Sequence, residues 1–168
     1  LACKTQSFSN IIGFANETTI EDGWKQYFYN GVVKLSFNYP EEWSLKETEL
    51  DPSIYPLNQF YDITISKHIT SQYGYDSYDQ NLISLSIISN EENLSPGEWL
   101  EQKLYKKDFV ELNTNSGLVG YRIMVQASEQ TWQEIYFFKN GYILRLQNFY
   151  FSSDTDSRNS LINSITFN

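Results

Sequence analysis

The chain is short of the residues on which most enzyme chemistry depends. It holds one cysteine, one histidine, one methionine and four prolines in 168 residues. With Cys3 alone, no disulfide can form within the chain, so a small secreted scaffold held by cross-links is excluded. His68 closes an alternating strand pattern beside a polar loop. No G-x-S-x-G element exists for it to serve, so it reads as a loop-edge residue and not as a base. Metal ligation by clustered His and Cys is excluded by the same shortage. The eight glycines are scattered and form neither G-x-G-x-x-G nor G-x-x-x-x-G-K, so no phosphate loop is expected. No apolar run approaches the ~20 residues that span a bilayer as a helix.

Basic residues are also few. Twelve Lys and Arg stand against 21 Asp and Glu, giving a formal charge of −9 and a pI near 4.5. Such a surface repels a phosphate backbone, so nucleic acid is not an expected partner. The clustered carboxylates are Asp76 with Asp79, Glu91 with Glu92, and Asp154 with Asp156. None continues as D-x-[DN]-x-[DN]-G, so they read as caps and solvated faces, and neither a metal nor a cofactor is expected.

Aromatic residues are abundant, with 13 Tyr, 11 Phe and 4 Trp making up 17% of the chain. Flat side chains of this kind favour pleated surfaces and a β-rich fold. The stretch Trp24 to Trp43 organises the rest. Asn30-Gly31 predicts a type I′ hairpin turn. After it Val33, Leu35, Phe37 and Tyr39 alternate with Lys34, Ser36 and Asn38, the period of a half-buried strand. Pro40 ends the pairing, and Trp43 folds back towards the same core.

Further strands are predicted at Ser44 to Glu47, Phe60 to Lys67, Leu82 to Ser89 and Asp108 to Asn113. Leu118 to Gln126, Trp132 to Lys139 and Tyr142 to Phe149 form a meander whose last turn is Asn140-Gly141. Ser95-Pro96-Gly97-Glu98 is a capping box opening a helix to about Lys107, with Trp99, Leu100 and Leu104 on its apolar face. Ser152 to Asp156 offers N-caps for a terminal helix carrying Leu161, Ile162 and Ile165. The expected architecture is α+β: a mainly antiparallel sheet of about six to eight strands with two packed helices.

Residues 1–23 read as a tether of low order, in which Ile11-Ile12-Gly13-Phe14 is the one segment suited to docking on the sheet; residues 24–168 read as a single α+β domain. Leu1-Ala2-Cys3 resembles the end of a bacterial lipobox, and residue 1 is not Met. The expectation is cleavage before Cys3 and lipidation of its thiol, with membrane association through that anchor alone.

The order of these pieces resembles bacterial PsbP-like domains of the Mog1/PsbP group. The residues that carry it are L-S-F-N-Y-P at Leu35 to Pro40 with Trp43 after it, S-P-G-E-W-L at Ser95 to Leu100, Gly120-Tyr121-Arg122, F-F-K-N-G-Y-I-L-R-L at Phe137 to Leu146, and Asn163 to Phe167. The resemblance implies an extracytoplasmic accessory protein that binds or helps assemble another envelope protein without turnover; it is expected to be monomeric. No metal-binding residues of that group can be matched to this chain. The contact expected from composition is the loop Gln72 to Asp79, where Tyr73, Tyr75, Asp76 and Tyr78 lie among small polar residues, with Tyr55 bordering the same surface. The alternative is a small-ligand binder with an aromatic pocket between sheet and helix, lined by Trp99, Trp132 and tyrosines. An enzyme with only carboxylates in its site, such as a glycosidase, needs a paired cleft for which the sequence offers no signal.

Overall fold

The computed structural model describes residues 14–21, 23–70, 77–106, 108–127, 130–148 and 155–168. Among them are eleven strands in two antiparallel sheets and two α-helices, an α+β arrangement. The smaller sheet has the order β1-β2-β3-β11, built from β1 (Phe14–Glu21), β2 (Trp24–Asn30), β3 (Lys34–Pro40) and β11 (Thr166–Phe167). The larger has the order β4-β5-β6-β10-β9-β8-β7. Its strands are β4 (Trp43–Glu49), β5 (Gln59–Thr70), β6 (Ser77–Ser89), β7 (Val110–Asn113), β8 (Val119–Ala127), β9 (Gln130–Lys139) and β10 (Tyr142–Asn148).

Two sheets replace the one expected. The chain changes sheet between Pro40 and Trp43, where proline ends β3 and the tryptophan opens β4 with its ring buried. The alternation of β3 holds: Val33, Leu35, Phe37 and Tyr39 are all buried, and Tyr27 and Tyr29 join them from β2. Their partners across the core are Tyr61, Ile63 and Ile65 of β5, with Leu85, Ile87, Leu144, Leu146 and Phe137 of the larger sheet. Tyr29 of the smaller sheet meets Tyr61 of the larger at 4.6 Å, a tilted ring contact that ties the sheets together, and Tyr27 stacks on its strand neighbour Phe37 at 4.9 Å.

The segment expected to be a tether contains β1, an edge strand paired along β2 from Phe14↔Asn30 to Glu21↔Trp24. Residues 16–21 are exposed, so no apolar alternation marks the strand; threonines and backbone pairing hold it. The arms of the next hairpin are also longer than expected. His68 to Thr70 and Ser77 to Asn81 are paired strand, with His68↔Asp79 and Thr70↔Ser77 in register.

The two Asn-Gly pairs behave differently. Asn140 and Gly141 have φ of 51° and 77°, and Lys139 pairs directly with Tyr142, as a type I′ turn requires. Asn30 instead pairs with Lys34, leaving the three-residue loop Gly31 to Val33, and neither Asn30 nor Gly31 has positive φ. Gly31 is needed for space, since a Cβ there would fall inside the Tyr29 phenol ring.

Helix α1 (Pro96–Leu104) opens on the expected capping box, with Glu98 Oε2 accepting from Ser95 N (3.0 Å) and Oγ (2.6 Å). It stops three residues before Lys107. Tyr105 adopts the left-handed conformation (φ 55°), and the N–H groups of Tyr105 and Lys106 bond back to the carbonyls of Glu101 and Leu100. Trp99 lies against Tyr136 (5.5 Å) and Phe138 (5.8 Å), so α1 covers the face of the larger sheet turned away from the main core. Helix α2 (Thr155–Ser164) sends Leu161 and Ile162 into the main core, joined there by Ile165 just beyond it. Ser164 Oγ accepts the Asn38 N–H of β3 at 2.8 Å, and Lys34 and Asn168 exchange backbone bonds.

Candidate functional site

The loop between β4 and β5 shapes a cleft. Leu50 N–H bonds to the Phe60 carbonyl at 2.9 Å and closes the loop at its base. Inside it Asp51 Oδ1 accepts from Ser53 N (2.9 Å) and Oγ (2.7 Å), which holds the Asp51 carboxyl below its ordinary pKa. A short 3₁₀ turn at Pro56–Asn58 follows, where Leu57 and Asn58 both take left-handed backbone (φ 63° and 57°). These turns leave a half-open cleft of about 570 Å³. Leu50, Pro52, Phe60 and Tyr61 form its apolar walls, Glu49, Asp51 and Glu91 stand at its rim, and among the described residues no Lys, Arg or His lines it. A second recess of about 290 Å³ shares Asn58 and Glu91 with the first and runs on to Trp99. The cation bordering that recess, Lys103, is held by Glu92 at 2.5 Å. The combined groove offers negative potential over aromatic and aliphatic walls, which suits a cation on an apolar stem.

Tyr61, in the wall, is locked from behind. Its hydroxyl donates to Glu47 Oε2 at 2.7 Å and lies 3.5 Å from that of Tyr27. Burial raises the pKa of both phenols above the ordinary range, reinforced at Tyr27 by its bond to Tyr61 and at Tyr61 by Glu47.

Sequence reasoning missed a set of polar residues on the α1 face of the larger sheet. Asp62 Oδ1 accepts from Ser86 Oγ (2.7 Å), Ser84 Oγ (3.1 Å) and Gln59 Nε2 (3.4 Å). Arg145 Nη2 donates to the same Ser86 hydroxyl and to Gln59 Oε1, each at 3.2 Å. Glu134, buried, accepts from Trp132 Nε1 (3.0 Å), Gln147 Nε2 (2.7 Å) and the Tyr136 hydroxyl. Burial and then the Glu134 charge raise the Tyr136 pKa. The signal was present as charged residues set singly between apolar neighbours, as in Tyr61-Asp62-Ile63 and Leu144-Arg145-Leu146.

Of the residues expected to form one contact surface, the structure describes Tyr55 and Tyr78. Tyr55 is exposed in the cleft loop at the start of β5, whereas Tyr78 is exposed on β6 opposite Ile69, near the far end of that strand. β5 has twelve residues, and at ~3.3 Å per residue its ends stand ~36 Å apart. Tyr55 and Tyr78 therefore lie toward opposite ends of β5. Tyr73, Tyr75 and Asp76 lie outside the described residues, as do Cys3 and Asp154. Trp99 fills the space between α1 and the sheet, while Trp132 gives its indole N–H to Glu134. His68 Nδ1 and Asp79 Oδ1 are 2.9 Å apart as an exposed cross-strand pair. Asp156 sits in the first turn of α2. Among the described residues, no three His, Cys, Asp or Glu side chains lie close enough together to hold a metal ion.

Fold and cleft together define a two-sheet α+β protein with an acid-rimmed groove. No family model matches the chain, and no curated protein or solved structure matches it.

Proposed function

We propose that this chain is a non-enzymatic binding domain of the PsbP-like kind, which docks another envelope protein by taking its basic side chains into the cleft of Glu49, Asp51 and Glu91. The single observation that carries the reading is that cleft: aromatic and aliphatic walls under three carboxylates, with no cation among its described lining residues. A lysine or arginine entering it places its methylene stem against Phe60 and Tyr61 and its charge at the rim. The order of sequence motifs from Leu35 to Phe167 supports the family reading, and Leu1-Ala2-Cys3 supports a lipid anchor outside the cytoplasm.

The test is cross-linked capture of the full-length protein from its native host, with two variants beside the wild type. Glu49→Lys with Glu91→Lys reverses charge at two exposed positions, so thermal unfolding stays within a few degrees while partner recovery falls by about tenfold or more. Tyr73, Tyr75 and Tyr78 changed together to Ser probe the other end of β5. Recovery lost only in the tyrosine variant moves the contact to that end; recovery unchanged in both removes the docking reading. Capture of the bait alone shifts weight to a small cationic ligand. In the same host, Cys3→Ser in the precursor is expected to move the protein from the membrane to the soluble fraction. Unchanged partitioning removes the anchor.

A further inference from the structure

A second surface lies at the opposite edge of the larger sheet, around β7 and the end of α1. Tyr105, Phe109, Val110 and Met124, four of the large apolar residues exposed among those described, line one shallow groove of about 970 Å³. Its floor has a simple origin. Arg122 of β8 pairs with Ile135 of β9, so Gly120, Arg122 and Met124 share the face that is buried further into the sheet. Gly120 lies where a Cβ would enter the Phe137 ring, so the core reaches that point. Two steps past Arg122, Met124 is 51% exposed.

Tyr105 stands at the wall of this groove. It is 87% exposed and held at φ 55°, a left-handed conformation that is unfavourable for a non-glycine residue. The helix end would be served better by glycine. The outer side of the groove is β7, a four-residue strand that ends the sheet order, so its outward N–H and C=O groups face no strand among the described residues. The charge is also local. Lys106 and Arg122 line the groove with Asp108, and among the described residues neither cation lies within ion-pair distance of a carboxylate. A net positive groove on a chain of charge −9 selects an acidic occupant.

We infer that this edge docks an extended segment of another protein, carrying apolar and acidic side chains, as a strand added along β7. Main-chain bonds to Val110–Asn113 supply the frame, the groove takes alternate apolar side chains, and Lys106 and Arg122 pair with carboxylates. This surface is separate from the acid-rimmed cleft, and its test does not depend on it.

The probe is a capped eight-residue peptide alternating valine and glutamate, titrated into the full chain and followed by amide NMR, with its valine–lysine counterpart as control. Saturable shifts and slowed exchange at the amides of residues 110–113 are expected with the glutamate peptide. The lysine peptide should bind at least about tenfold more weakly. Tyr105→Gly relieves the left-handed backbone, so it should leave the melting temperature equal or higher while weakening the peptide by about fivefold. Absence of shifts at β7, equal binding of both peptides, or full binding to Tyr105→Gly would each overturn the inference. So would a concentration-dependent dimer abolished by Val110→Asp, which would assign the edge to a second copy of this chain.

Discussion

Raised above pH 10, the protein will unfold in one cooperative step within about two pH units, and its buried phenols will ionise in that step and not before. Tyr27, Tyr29, Tyr39, Tyr61 and Tyr136 all have pKa values raised from the ordinary 10.0. Burial is the first cause in each case. Carboxylates add to it, Glu49 at Tyr29, Glu17 at Tyr39, Glu47 at Tyr61 and Glu134 at Tyr136. Below pH 10 both folded and unfolded chains hold these protons, and stability does not depend on them. Above it the unfolded chain releases protons that the folded chain keeps, so the unfolded state gains and stability falls. Each phenol that keeps its proton in the fold contributes up to ~1.4 kcal/mol per pH unit, and the four with the largest shifts, Tyr27, Tyr39, Tyr61 and Tyr136, together up to ~5.5 kcal/mol per unit. Two such units remove up to ~11 kcal/mol, more than the middle of the ordinary stability range of about 5–15 kcal/mol. Tyrosinate absorbance and circular dichroism, recorded on the same samples, are the measurement. Phenolate signal from these five rising smoothly near pH 10 while the dichroism stays constant would show that the rings are open to solvent. Tyr136→Phe should make the transition shallower by about one proton.

The same rings show how far sequence reasoning reaches. Alternation placed Leu35, Phe37 and Tyr39 in a core correctly, because a period of two reports a buried face. It does not report which sheet supplies the opposite wall. Hence Trp24 to Trp43 was read as part of one sheet, although the chain changes sheets at Pro40. Strand β1 was invisible for a related reason: its described side chains, residues 16–21, are exposed, and backbone pairing to β2 leaves no apolar pattern. The dipeptide Asn-Gly gave the right turn at 140–141 and the wrong one at 30–31. The difference is tertiary, since Tyr29 turns onto Tyr61 at 4.6 Å and occupies the space beside Gly31.

The cleft was less legible than the fold. Asp51-Pro52 and Tyr55-Pro56 announced a loop, and Glu91-Glu92 stood out as paired acids. Nothing in their spacing joins them. The pairing of Gln59 with Ile88 brings the end of that loop beside the connection that carries Glu91. Composition drew the tyrosine loop to the foreground instead, with Tyr55 on a surface bordering it, whereas the twelve residues of β5 separate Tyr55 from Tyr78. The end of α1 was misjudged because Lys106 and Lys107 look like favourable last-turn residues, whereas Tyr105 turns the backbone left-handed before them.

Phe37→Ala is expected to lower stability by about 3–5 kcal/mol, while Phe28→Ala, on the neighbouring strand, changes it by no more than about 0.5 kcal/mol. Phe37 is fully buried, stacked on Tyr27 at 4.9 Å and tilted against Tyr39 at 6.0 Å. Truncation removes the ring's transfer energy and leaves a cavity between the two sheets beside β2 and β3, each of which has a strand on both sides, so the site collapses poorly. Phe28 pairs with Ser36, points to the other face of the smaller sheet and is 40% exposed, so its truncation opens no cavity. Urea unfolding of the two variants under identical conditions separates the outcomes, with the midpoint reporting stability and the slope checking that the unfolded state is unchanged. Phe37→Leu should recover most of the loss, because a branched aliphatic group refills much of the volume. Equal losses at Phe28 and Phe37 would mean that both faces of the smaller sheet are covered, and the exposed face would then have to be assigned a partner. A small loss at Phe37 alone would mean that the contact between the two sheets contributes little, and the larger sheet with α1 would carry the fold by itself.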